Sequence, residues 1–162
     1  MGENRGKAFE QVVRDSFNRI DDTYVLRLYD PQGGYSSVAN PCDFIVFRHN
    51  KMYMIECKTI HGNTFPIFSN DPKKKFGNIS TNQGYGMLRA SQYGVVAGVI
   101  IWWVDRDVTR FIPIGEIEAM NYGGDKSIRY DTDRGILIEG KKKRVFFDYN
   151  METFFENFEN EG

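Results

Sequence analysis

Apolar residues dominate two neighbouring stretches of the chain and alternate with polar residues at the end of the second. Residues 43–47 and 52–58 are rich in β-branched and aromatic side chains and are separated by a polar corner at 48–51. This pattern predicts an antiparallel hairpin. Residues 24–29 alternate similarly and predict an earlier strand, whereas residues 95–104 are apolar throughout and predict a strand at the centre of a sheet.

Helical spacing marks four other stretches. Residues 7–20 carry apolar side chains at intervals of three and four, which predicts a first helix with one apolar stripe. Residues 78–93 predict a second helix, with the polar Gln83 on its apolar face. Residues 115–120 predict a short helix, and residues 151–158 predict an amphipathic helix.

The order of these elements predicts the fold class. One helix precedes three strands, and a second helix then precedes two more strands at 95–104 and 109–114. This order predicts an α/β fold with a mixed β-sheet flanked by helices. No repeat or linker divides the chain, so residues 1–162 are expected to form a single domain.

Composition limits the function classes. The 162 residues include 41% hydrophobic and 15% aromatic residues, as expected for a packed globule. The net charge of −1 does not indicate a nucleic-acid partner, so any such role must rest on local clusters of basic residues. The polar start lacks the apolar core of a signal peptide, and no apolar run could cross a bilayer, so we expect a soluble cytoplasmic protein.

The predicted hairpin carries the candidate chemistry. Because successive strand residues point to opposite faces, Glu56 and Lys58 share one face while Cys57 faces the core. Asp43 begins the first strand, where pairing can bring its carboxylate beside Glu56. Carboxylates suit Mg²⁺ or Mn²⁺, and a nearby lysine can orient or activate a water. These residues predict metal-dependent phosphodiester cleavage, although such a short pattern also occurs as a solvated surface pair.

Other polar residues have two interpretations each. Glu10 lies at the edge of the first helix's apolar stripe, where it either faces inward or is a solvated residue favoured by the helix dipole. Gln83 must find hydrogen-bond partners, either backbone groups or a carboxylate ligand or metal-bound water. Ser36 and Ser37 either contact a phosphate or are solvated loop residues, which we favour. The three lysines at 73–75 either contact DNA or form a soluble loop.

These residues together resemble a known family. Glu10, Asp43, the Glu56-Cys57-Lys58 triplet and Gln83 occur in the order typical of the PD-(D/E)XK nuclease superfamily. Residues 4–10 read N-R-G-K-A-F-E and are similar to the N-R-G-x-x-x-E opening of RecU-type Holliday junction resolvases. Segments T-F-P-I, N-Q and K-S-I-R further along the chain also resemble RecU-type segments.

The resemblance implies a function and residue roles. It implies a homodimer that cuts two opposed strands of a four-way DNA junction with Mg²⁺ or Mn²⁺. The metal ligands would be Glu10, Asp43, Glu56 and the backbone carbonyl of Cys57. Lys58 would assist hydrolysis, and Gln83 would orient water or a ligand. The DNA-contacting residues would be Arg5, Lys7, Ser36, Ser37, Lys73, Lys74, Lys75, Lys126 and Arg129.

One departure from the RecU-type pattern leaves alternatives open. Where that family has a long stalk insertion, this chain has only residues 31–41, so its outline is closer to compact Hjc-type resolvases. The alternatives are a restriction- or repair-type endonuclease of the same fold and a non-catalytic DNA-binding recombination accessory protein. An iron–sulphur nuclease is disfavoured because two cysteines cannot supply four thiolates.

A resolvase is expected to be a dimer, because two paired nicks need two active sites. The predicted dimer surfaces are residues 95–104 with Trp102 and Trp103, and residues 146–158. Either segment could instead be ordinary core. The basic clusters at 73–75 and 141–144 are expected to flank the paired sites.

Overall fold

The computed structural model describes residues 2–29 and 40–159. Its main feature is a six-stranded mixed sheet with the strand order β1-β2-β3-β5-β6-β8. Its strands are β1 (Thr23–Arg27), β2 (Phe44–Arg48), β3 (Lys51–Ile60), β5 (Val96–Trp103), β6 (Val108–Pro113) and β8 (Ile136–Leu137). The β3–β5 pair is parallel and every other pair in this sheet is antiparallel.

Helices cover both faces of this sheet. They are α1 (Gly2–Asn18), α2 (Thr81–Ser91), α3 (Ile114–Tyr122) and α4 (Met151–Glu159). Two smaller sheets pair β4 (Thr64–Pro66) with β7 (Ser127–Arg129), and β9 (Gly140–Lys142) with β10 (Phe147–Tyr149). The predicted α/β class, with a mixed sheet flanked by helices, is confirmed.

Two hydrophobic cores lie on opposite faces of the sheet. On one face, α1 and α4 pack aromatic residues against β2, β3, β5 and β6. On the other face, α2 and α3 pack smaller apolar residues against β3, β5 and β6. Glu56 and Lys58 belong to this second face, while Ile55 and Cys57 belong to the first, as the alternation predicted.

Of the two interpretations of residues 95–104 and 146–158, core holds for residues 96–103 and for the inward side of the second segment. In β5, Trp102 is 1% and Trp103 is 0% exposed. In α4, Phe154 is 1% and Phe155 is 0% exposed. The physical reason is that a central strand with helices on both faces has no face left for a partner, and α4 turns its aromatic side inward.

Some elements were not predicted. The strands β7, β8, β9 and β10 are only two or three residues long, and β4 lies in a stretch without periodicity. Such short strands repeat too few times to give an alternating signal. No helix within residues 2–29 and 40–159 is long and apolar enough to cross a membrane.

Candidate active site

A cleft of about 560 Å³ opens where α1 meets the start of β2 and the second half of β3. It contains the acidic residues and the lysine that the sequence singled out. Its lining residues are Gly6, Lys7, Glu10, Asp43, Glu56, Cys57, Lys58 and Thr59.

Asp43 is held in place by backbone hydrogen bonds to both neighbouring strands. Its N–H donates to the carbonyl of Ile55 at 3.0 Å, and its carbonyl accepts from the N–H of Leu28 at 2.9 Å. Its carboxylate Oδ2 accepts from the N–H of Cys57 at 2.8 Å. Burial raises the pKa of this carboxyl above its usual value. Asp43 is therefore fixed beside Glu56, as the predicted hairpin pairing required.

Glu56 is the most buried acidic residue of the cleft, at 3% exposed. Its Oε2 accepts from Lys58 Nζ and from Gln83 Nε2, both at 3.1 Å. Its Oε1 is buried and has no partner among the described residues. Burial, together with the nearby charge of Asp43, raises the pKa of Glu56 to about 8. The interpretation of Glu56 and Lys58 as a solvated surface pair is therefore wrong for Glu56.

Gln83 contacts the site through the first turn of α2. Ser80 caps this helix, because its hydroxyl accepts from the Gln83 N–H at 3.1 Å. The Gln83 side-chain oxygen accepts from the Ser80 N–H at 3.3 Å, which leaves the amide nitrogen to donate to Glu56. The spacing S-x-x-Q is a capping-box signal that could have placed the start of this helix from the sequence. Gln83 therefore has both of the partners considered for it, a backbone group and the Glu56 carboxyl group, while its role in catalysis stays a prediction.

Glu10 faces inward and is 8% exposed, so its interpretation as a solvated residue is wrong. Its Oε2 accepts from Arg14 Nε at 3.0 Å and from Arg27 Nε at 2.9 Å. Sequence reasoning missed both arginines. The i,i+4 spacing of Arg14 was a usable signal, whereas Arg27 reaches Glu10 only because β1 folds beside α1.

The three acidic residues fit a divalent cation by their chemistry. No three His, Cys, Asp or Glu side chains of the described residues form a ready-made metal cluster. However, a buried carboxylate oxygen without a partner, such as Glu56 Oε1, is costly unless a ligand satisfies it. Hard carboxylate oxygens are the ligands that Mg²⁺ and Mn²⁺ take. Metal binding by Glu10, Asp43, Glu56 and the Cys57 carbonyl stays a prediction.

The thiol of Cys57 lies on the other face of β3 from the acidic residues. Burial raises the pKa of the Cys57 thiol well above its usual value. Cys42 is buried as well, and burial raises its pKa to about 12. Neither thiol forms a disulfide. These thiols are therefore neutral packing groups near neutral pH.

Among the predicted DNA contacts, Lys7 lines the cleft and Arg5 lies five residues before Glu10 in α1. Lys73 and Lys74 are exposed on a short 3₁₀ turn. Lys75 donates to the hydroxyl of Tyr85 at 2.6 Å.

The remaining predicted contacts lie elsewhere. Lys126 is exposed, and Arg129 is paired with Asp131 at 2.9 Å. Ser36 and Ser37 lie outside the described residues, as do residues 30–39 in general. In the cluster at 141–144, Lys142 pairs with Asp107 at 2.6 Å and Lys143 pairs with Asp148 at 3.3 Å.

Comparison with known proteins gives a likeness in structure but no match in sequence. No protein-family model and no curated protein sequence matches the chain. Among solved structures, the chain is similar to Hjc of Archaeoglobus fulgidus, described as a Holliday junction resolvase from an archaeal hyperthermophile. The identity is 18%, the match covers 68% of this chain and 74% of that chain, and the TM-score is 0.45.

Proposed function

We propose that this protein is a metal-dependent DNA endonuclease that resolves four-way junctions by paired strand nicks. The observation that carries the proposal is the Glu56 carboxylate, buried at 3% exposure with Oε1 unpartnered, in one cleft with Asp43, Glu10 and Lys58. Burial of such a group lowers stability unless a partner or ligand satisfies it, so its presence favours a bound ligand. A purely DNA-binding accessory protein would have no use for it.

Glu10, Asp43, Glu56 and the backbone carbonyl of Cys57 would hold Mg²⁺ or Mn²⁺. Such an ion, when bound, polarises a phosphoryl oxygen and favours a hydroxide nucleophile near neutral pH. The chain's own contacts keep the ligands in place: Arg14 and Arg27 hold Glu10, and the Cys57 N–H holds Asp43.

Lys58 and Gln83 would act on the reacting groups. The Lys58 ammonium is 28% exposed and opens to the cleft from its contact with Glu56. From there it would stabilise the negative charge that develops on the phosphate and orient the attacking water. Gln83 would keep the Glu56 carboxylate in one orientation through its 3.1 Å hydrogen bond.

Selectivity for a four-way junction is supported by the ordered motif set, above all the N-R-G-K-A-F-E segment at the start of α1. In the structure this segment ends at Glu10, and its Gly6 and Lys7 line the cleft. A junction has two-fold symmetry, so a homodimer with two identical clefts would match it.

The test is cleavage of a mobile four-way junction against a linear duplex, with Mg²⁺ and with a chelator. The parent protein should cut the junction only with metal. Asp43→Asn should abolish cleavage, because it removes a charged ligand, while fold and DNA binding persist. Asp21→Asn, the same change at an exposed turn position, is the control and should cut like the parent.

Cleavage by Asp43→Asn at the parent rate would overturn the site assignment. Equal cutting of linear duplex and junction would replace the resolvase by a restriction- or repair-type endonuclease. Junction binding without cleavage by the parent, with either metal, would favour the accessory-protein alternative.

A further inference from the structure

Three polar residues form a cluster at the rim of the cleft, which we call the rim cluster: Arg5, His61 and Asp105. Arg5 belongs to α1, His61 follows the last residue of β3, and Asp105 lies in the 3₁₀ turn after β5. The cluster borders the cleft, because neighbours of its residues line the cleft. These neighbours are Gly6 and Lys7, which follow Arg5, and Thr59, which lies two residues before His61.

Asp105 fixes the orientation of the His61 ring. Its Oδ2 accepts from the backbone N–H of Gly62 at 2.7 Å, and its Oδ1 lies 3.2 Å from His61 Nδ1. Gly62 has φ of +82°, so the chain turns there in a conformation that suits glycine. The Gly62 N–H and the His61 ring together lower the pKa of Asp105, so its carboxylate is a charged support.

The other ring nitrogen, Nε2, faces Arg5 Nη1 at 3.4 Å. In the neutral ring, the Nδ1–H group donates a hydrogen bond to Asp105, and Nε2 accepts one from Arg5. This contact is at the long end of hydrogen-bond distances, so it is weak and easily replaced. When the ring gains a proton, Nε2 becomes a donor, and two donors then face each other without an acceptor between them.

We infer that Arg5 and His61 bind a DNA backbone phosphate beside the scissile one, and that His61 takes up a proton from solvent when the phosphate binds. A phosphate oxygen between the two groups would accept from both, and Asp105 would stabilise the imidazolium from behind. The inference rests on the proposed function, because it takes DNA as the ligand. It adds His61 and Asp105 to the residues that the motif resemblance assigns.

Exposure agrees with this role. The His61 and Asp105 side chains are 67% and 52% exposed, so a phosphate can reach the ring without any change of fold. Arg5 from α1 and Asp105 from the turn after β5 are the charged groups of the described residues within hydrogen-bond distance of the ring.

The chain offers a matched control, because its other histidine, His49, has a comparable setting away from the cleft. His49 is 49% exposed and lies 3.3 Å from Glu159 and 3.7 Å from Asp22. It sits in the turn between β2 and β3, at the opposite end of β3 from His61. Asn is a suitable replacement at both positions, since it tolerates the φ of +49° at His49.

The experiment measures binding of a fluorescein-labelled four-way junction without divalent metal, by anisotropy, between about pH 6 and pH 8. Binding by the parent should weaken as pH rises, by up to about tenfold per pH unit, because one proton is taken up on binding. His61→Asn should show a smaller pH dependence than the parent and keep only the part that ionisation of Glu56 contributes, whereas His49→Asn should keep all of it. Arg5→Gln should reduce the slope of log affinity against log salt by about one, because one phosphate contact is lost.

A second readout separates binding from structure. In Mg²⁺, His61→Asn should raise the KM for the junction while kcat stays close to that of the parent, since the flanking phosphate is held equally before and during the reaction. Unchanged pH dependence in His61→Asn, or an unchanged salt slope in Arg5→Gln, would overturn the inference.

The outcomes also separate the inference from the proposed function. If the parent cleaves junctions and both His61→Asn and Arg5→Gln bind like it, the phosphate-binding inference is wrong and the nuclease proposal is kept. If His61→Asn and Arg5→Gln change binding as expected and the parent never cleaves, the nuclease proposal fails and the phosphate site stands. A parent protein that does not bind the junction contradicts both.

Discussion

The two oxygens of the buried Glu56 carboxyl group lie in different settings. One oxygen accepts from Lys58 and Gln83, while the other is buried without a partner among the described residues. Asp43 and Glu10 each have an oxygen engaged by donors of the chain itself. At the residue scale, the cleft is therefore a set of preoriented carboxylates, which costs stability in the absence of a ligand.

The pH dependence of stability should report this cost. The pKa of Glu56 is raised to about 8 from a usual 4.5, so the folded protein keeps a proton that the unfolded chain has lost. The stability of the metal-free protein should fall as pH rises from about 4.5 to about 8, by up to about 1.4 kcal/mol per pH unit from this group. Glu56→Gln cannot ionise and should remove that fall.

Denaturant unfolding of both proteins in chelator, at several pH values, measures the difference in the free energy of unfolding. The exposed Glu152→Gln serves as the control and should follow the parent. Parallel curves for the parent and Glu56→Gln would show that Glu56 is ionised in the metal-free fold.

Lys58 should affect turnover far more than affinity. Its ammonium would stabilise charge that develops only in the transition state, and the loss of one such group commonly lowers the rate by about a hundredfold or more. Lys58→Ala should therefore lower kcat on the junction while the Kd changes little. Lys51→Ala is a control on the same strand, because Lys51 bonds to the Phe158 carbonyl at the other end. Weak binding with normal turnover in Lys58→Ala would make this lysine a phosphate anchor only.

At the scale of elements, the site depends on close packing around β5. This strand pairs with β3 in parallel and with β6 on its other side. In the pair with β3, Gly98 lies beside Ile55. A Cβ at Gly98 would overlap the Ile112 carbonyl oxygen and lie 2.8 Å from the Phe111 ring. The strand β3, which supplies Glu56, therefore lies beside a strand that has no space for a side chain at Gly98.

Alanine at two glycines should have opposite effects. Gly98→Ala should lower the free energy of unfolding by about 1–3 kcal/mol, because it overpacks the centre of the sheet. Gly115→Ala should raise it by about 0.5–1 kcal/mol, since a Cβ there meets nothing within 4 Å and Gly is a poor helix former. Thermal or denaturant unfolding measures both. A Gly98→Ala protein as stable as the parent would contradict the packing described for β5.

At the scale of the whole molecule, the aromatic core joins the two ends of the described chain. Phe154 of α4 packs 5.3 Å from Phe17 of α1 and 5.1 Å from Phe111 of β6, measured between ring centroids. Segments that looked available for a partner are thus used inside one chain. The homodimer that we propose would therefore use another surface.

The assembly prediction is tested in two steps. Light scattering on the free protein should give the mass of a homodimer, because two clefts are needed for two nicks. On a supercoiled cruciform, both nicks should then occur within one binding event and yield a linear product. A strictly monomeric protein that releases singly nicked cruciforms would rule out the resolvase mechanism and favour a simple nickase.

The sequence by itself determined those features of the fold and the site that depend on local periodicity and on the order of the elements along the chain. The alternation in β3 places Glu56 and Lys58 on one face, and the long apolar run predicts the central β5, because side-chain direction follows directly from strand geometry. The helical stripe of α1 likewise placed Glu10 at the edge of the core, though it left open whether the carboxylate faces inward.

Only the tertiary structure decided which of the open interpretations holds. Burial of Glu10 and Glu56 depends on α1 and α2 closing over the sheet, and the contacts of Arg27 with Glu10 and of His61 with Arg5 join residues far apart in the chain. Likewise, the apolar β5 and α4 could have formed core or interface, since both bury the same kind of surface. Their place was set by which elements pack against them, and local sequence does not encode that.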